Sequence, residues 1–101
     1  MKRSLRVLLP LLLLLAVALT RSETNEKGAS IENAIVVKAA DEMSGTDFEH
    51  RYIAAHYPGS HEIQQALTTR GGRRYDAITF ATRDGKRHAL YFDITAYFGK
   101  F

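Results

Sequence analysis

The stretch "HEIQQALTTRGGRRYDAITFATRDGKRHALYFDIT", residues 61–95, decides the fold. It holds three runs rich in β-branched and aromatic residues, separated by "RGGR" (70–73) and "RDGK" (83–86), so it reads as three consecutive strands joined by two turns. Gly71-Gly72 suits a two-residue primed turn, whose positive φ angles glycine accepts without strain. Pairing Arg70 with Arg73 then sets Ile63 opposite Phe80, Gln65 opposite Ile78 and Leu67 opposite Asp76.

The second turn is fixed by pattern rather than by propensity. A two-residue Asp84-Gly85 turn would put Ile78 and Phe80 on the face opposite Leu90 and Phe92. A three-residue loop, a type I turn followed by Gly85 in the left-handed region, puts all four together and is the expected geometry. The expected core face carries Ile63, Leu67, Ile78, Phe80, Leu90, Phe92 and Ile94, with Tyr97, Phe98 and Phe101 closing one end.

Upstream, Thr46-x-x-Glu49 has the form of a capping box, in which hydroxyl and carboxylate each satisfy a backbone N–H at a helix start. Phe48, Tyr52 and Ala55, with Ile53 beside them, give the following helix an apolar stripe. Pro58-Gly59 ends it, because the residue before a proline avoids the helical region. Before the helix, the β-branched cluster Ile35-Val36-Val37 in "IENAIVVKA" (31–39) suggests a first strand. The expected fold is α+β: one helix packed on an antiparallel sheet in the order β-α-β-β-β.

The chain has 101 residues, enough for one domain, and it opens on "MKRSLRVLLPLLLLLAVALT". Lys2, Arg3 and Arg6, an apolar run from Val7 to Leu19 and the small residues of "AVA" at 16–18 read as a secretory signal cleaved after Ala18. The run is shorter than the roughly 20 residues a spanning helix needs, and Pro10 interrupts it, so no stable membrane anchor is expected after cleavage. Residues 19–30, "LTRSETNEKGAS", read as a flexible leader, and 31–101 as a single α+β domain, periplasmic or secreted.

Of the 14 Lys and Arg residues, three lie in the signal, leaving 11 basic against 11 acidic, so the electrostatic case for nucleic acid disappears. The absence of cysteine removes disulfides, thiolate zinc sites and thiol nucleophiles.

"AAHYPGSHEIQQAL", "YDAITFATRDGK" and "LYFDITAYFGK" together resemble small exported PepSY-like domains over about residues 46–100. In these a helix ends in Tyr-Pro-Gly and three strands follow, the last ending in Phe-Asp with a later glycine. The stretch from Asp93 to Gly99 is longer than the family's usual ending, and the 31–39 strand is an addition. The resemblance implies an extracytoplasmic binding or inhibitory module and supplies no catalytic residue.

Candidate chemistry is sparse. His50, His56 and His61 could be written down as zinc ligands, but six helical positions leave His50 and His56 roughly 120° apart around the axis. Ser60-His61 is a neighbour pair without a nucleophile elbow. Asp76, facing inward beside Leu67 and Phe92, is the candidate acid/base of a small hydrolase or isomerase, or else a rim carboxylate meeting Arg73, Arg74 or a backbone amide.

The outer sheet face offers a third possibility. The register lines up Ala66, Ala77 and Tyr91, then Gln64, Thr79 and Ala89, then Thr68, Tyr75 and Asp93. Tyrosines among Ala and Thr offer contact area at low entropic cost. The expected function is a non-enzymatic, cofactor-free binding module that holds a protein partner or a second copy through Tyr75, Ala77, Tyr91, Ala66 and Thr79, or through an exposed strand edge. The surface metal site and the Asp76 acid/base remain the alternatives.

Overall fold

The computed structural model describes residues 26–101; the expected signal at 1–18 and the first part of the leader lie outside them. A 3-10 turn, Ile31–Asn33, precedes β1 (Ile35–Val36), α1 (Glu42–His56), β2 (His61–Arg70), β3 (Arg73–Ala81) and β4 (Arg87–Asp93). The strands form one sheet in the order β1-β4-β3-β2. The class is α+β, with the element order β-α-β-β-β.

Both turns form as the pattern requires. Gly71 and Gly72 take φ of 59° and 75°, and Arg70 faces Arg73, Gln65 faces Ile78 and Leu67 faces Asp76. At the second turn the Gly85 amide donates to Thr82 and the Thr82 amide to Lys86, with Gly85 at φ 82°. Ile78 therefore stands directly opposite Leu90. Ile78, Phe80, Leu90 and Phe92 share one buried face with Ile94 and Tyr97, packed against Ile53 of α1.

Several expectations fail for physical reasons. The sheet is mixed rather than antiparallel, since β1 runs parallel to β4 with Ile35 beside Phe92. Only Ile35 and Val36 form strand pairs, because the chain before them is spent in the 3-10 turn. Residues 26–30, expected as the end of a flexible leader, are tied to the sheet: the Tyr91 amide donates to the Gly28 carbonyl at 2.7 Å.

The helix begins earlier than the Thr46 capping box. Asp41 is the N-cap, its Oδ1 accepting from the Ser44 amide at 2.9 Å, which satisfies an orphan donor one turn upstream. Thr46 and Glu49 are thus interior to α1. The face turned to the sheet is Gly45, Glu49 and Ile53, spaced by four, whereas Phe48 and Ala55 are exposed. The glycine is needed there: a Cβ at Gly45 would lie 2.3 Å from the Tyr97 ring. Helix and tail approach closely at that point, and Tyr97 fills the space.

Ile63 and Leu67 leave the expected core. A bulge between Glu62 and Gln64 puts Glu62, not Ile63, opposite Phe80. Leu67 keeps its register but lies on the strand that α1 does not cover, and it is 52% exposed. Phe101 is fully exposed, so the tail closes the core through Tyr97, with Phe98 packed beside it.

Candidate functional site

Two features stand out once the side chains are placed: a buried carboxyl pair under α1, and the free edge of β2.

Glu49 is wholly buried at the centre of the face that α1 turns to the sheet. Its Oε1 accepts from the Tyr97 hydroxyl at 2.7 Å, and no hydrogen-bond donor meets Oε2. The neighbouring acid is Asp76 on β3, buried and held by the Gln65 amide of β2 at 3.0 Å. Burial, and then the Asp76 carboxyl beside it, push Glu49 up to about 9, against the pull of the Tyr97 hydroxyl. Glu49 is therefore a neutral acid at pH 7, carrying its proton beside the Asp76 carboxyl. Burial and Glu49 together raise the Tyr97 phenol well above its usual range.

Asp76 thus meets Gln65 and Glu49 rather than the arginines expected at the sheet rim. Arg73 instead donates to Asp93 at 2.7 Å, and the Thr95 amide and hydroxyl donate to the other oxygen of Asp93 at 3.1 and 2.6 Å. Burial works against the Asp93 charge, yet these bonds hold its carboxyl below the usual range. Glu49 escapes a search for apolar stripes because it is charged in type. Its spacing of four from Gly45 and from Ile53 was the available signal.

The histidines are dispersed among separate partners. His50 pairs with Glu62 across α1 and β2. His56 stacks on Tyr52, with ring centroids 3.9 Å apart, and its Nδ1 lies 2.9 Å from the Tyr52 carbonyl. His61 begins β2 and is exposed. Among the described residues no group of three or more His, Asp or Glu is placed to hold a metal ion.

The outer-face rows occur in the expected register: Ala66 beside Ala77 and Tyr91, Gln64 beside Thr79 and Ala89, Thr68 beside Tyr75 and Asp93. Their exposure differs from expectation. Tyr75 is only 7% exposed, flanked by the Arg73–Asp93 pair, and cannot stand out as a contact residue. Ala77, Thr79 and Tyr91 are half-buried and Ala66 is exposed.

The edge of β2 is more open. Nine of its ten residues are exposed, and among the described residues no strand pairs with its far side. Arg70 and Arg73 close the two-residue turn as a hydrogen-bonded pair, so alternate residues from Arg70 bond to β3. Gln65, Leu67 and Thr69 consequently turn their N–H and C=O groups outward. Natural sheets blunt such edges with charge or proline, but residues 63–69, "IQQALTT", contain neither. The Glu62/Gln64 bulge guards only one end.

No protein-family model, curated protein or solved structure matches the chain. Among the described residues no helix is long and apolar enough to cross a membrane.

Proposed function

We propose that the protein is an exported, non-enzymatic binding module of PepSY-like type that takes an extended protein segment as an added strand along β2. The single observation that carries this reading is the ten-residue edge strand with uncharged, proline-free residues 63–69 and outward backbone groups at Gln65, Leu67 and Thr69. Backbone hydrogen bonds supply affinity in strand addition, and alternate side chains supply selectivity. Ile63 and Leu67, 43% and 52% exposed, are the apolar anchors beside that edge. The half-buried outer face of Ala77, Thr79 and Tyr91, with exposed Ala66, is a secondary contact surface on the side of the sheet opposite Leu67. Export follows from the basic, apolar and small-residue order of residues 1–18.

Leu67→Pro tests the reading. It removes an outward N–H without taking a bond from β3, and proline is tolerated at such an edge. Extended peptides displayed on phage and selected on the immobilised full chain are expected to bind the natural protein and to be lost on Leu67→Pro. Equal binding to both proteins would sink the edge-strand reading.

A further inference from the structure

We infer that the strand taken up along β2 is β2 of a second copy of this chain, docked antiparallel about a two-fold axis through Leu67. The inference rests on the edge-strand reading above and names its partner. The bulge between Glu62 and Gln64 ends the straight part of β2 on one side, and the Gly71-Gly72 turn ends it on the other. The segment between them is Gln64 to Arg70, and its midpoint is Leu67.

That midpoint has the properties a two-fold requires. An axis perpendicular to the sheet keeps both helices on one side, so opposing residues must share a face, and a residue on the axis meets its own copy. Leu67 turns its N–H and C=O outward, so the two copies exchange both bonds at the axis. Gln65 and Thr69 do the same with each other on either side, for about six backbone bonds in all.

The side chains agree with this register. The half-exposed Leu67 meets Leu67 of the second copy, giving an apolar contact where each copy alone leaves a leucine in water. Ala66 falls opposite Thr68. Arg70, the one charged residue of the segment, falls opposite Gln64, so no like charges face each other. Sliding the register toward Gln65 would run the pairing into the bulge, and sliding it toward Thr69 would run it over the turn. The product is one continuous sheet built from two four-stranded halves.

The chain has no cysteine, so single introduced thiols report the register of the full-length protein directly. Residues exchanging both bonds across an antiparallel pair have Cα atoms about 5.5 Å apart, within reach of a disulfide. Leu67→Cys should therefore form a covalent dimer on mild oxidation. In Thr69→Cys the two thiols would be displaced by about 13 Å along the strands, and this variant should not cross-link. Leu67→Lys, which sets two ammonium groups face to face, should sediment as a monomer with an unchanged circular dichroism spectrum.

Equal cross-linking of the two cysteine variants, or none in either, overturns the inference. Slow hydrogen exchange at the Gln65, Leu67 and Thr69 amides of a monomeric natural chain also overturns it, by showing another strand of the same chain on that edge. Self-pairing fails alone if the natural protein is monomeric but still selects peptides that Leu67→Pro loses. Both readings fail if those peptides bind Leu67→Pro equally well.

Discussion

Replacing Glu49 by glutamine should stabilise this protein at neutral pH, although it alters the most deeply buried polar group of the helix. The carboxyl in the fold holds its proton up to about pH 9, whereas in the unfolded chain it releases it near the ordinary value of 4.5. Between those two values the folded state binds the extra proton, so this group makes stability fall as pH rises, by roughly 1.4 kcal/mol per pH unit. From pH 5 to pH 7.5 the loss amounts to about 3 kcal/mol, a large share of what a domain of this size possesses.

Glutamine copies the neutral acid without its proton. Its carbonyl can accept from the Tyr97 hydroxyl, and its amide places a donor at the position of the unpartnered Oε2. Urea unfolding followed by circular dichroism at pH 5, 6, 7 and 8 should show the natural protein weakening with pH. Glu49→Gln should be nearly flat and should lead by about 3 kcal/mol at pH 7.5. Parallel slopes for the two proteins, or a variant less stable at pH 7.5, would refute Glu49 as the holder of that proton.

Two further outcomes follow from contacts described above. Gly45→Ala raises helix propensity but drives a methyl group into the Tyr97 ring, 2.3 Å from the added carbon, and should cost about 1–3 kcal/mol in thermal or urea unfolding. Asp93→Ala removes the acceptor of Arg73 and Thr95 and should cost about 2–3 kcal/mol at pH 7. Because the Asp93 carboxyl is held below its usual range, that difference should be full above pH 4 and shrink as pH falls through the folded value, measured as unfolding midpoints from pH 2 to 7.

Local pattern and turn chemistry were enough to place β2, β3, β4 and the end of α1. Glycine pairs specify their turns whatever surrounds them, and the period-two alternation of Ile78, Phe80, Leu90 and Phe92 admits one loop length if they are to share a face. The helix start was less legible, since Thr46–Glu49 and Asp41–Ser44 are both acceptable caps locally. The choice came from Glu49 being drawn under the helix by Tyr97, a residue 48 positions away. Likewise, nothing in "HEIQQALTT" reveals that Ile63 slips out of register in a bulge or that α1 leaves Leu67 uncovered.

The sequence by itself determined the class, the order of elements, the hairpin registers from Gln64 onward and the outer-face rows, because these depend on neighbours within a few residues or on strict alternation. Only the tertiary structure decided that β1 runs parallel to β4, that Tyr75 is buried and β2 open, and that two acids share one buried site. Those outcomes depend on which distant surfaces meet. Burial changes what a side chain is chemically: a glutamate that reads as a cap residue in the chain becomes a neutral acid in the core.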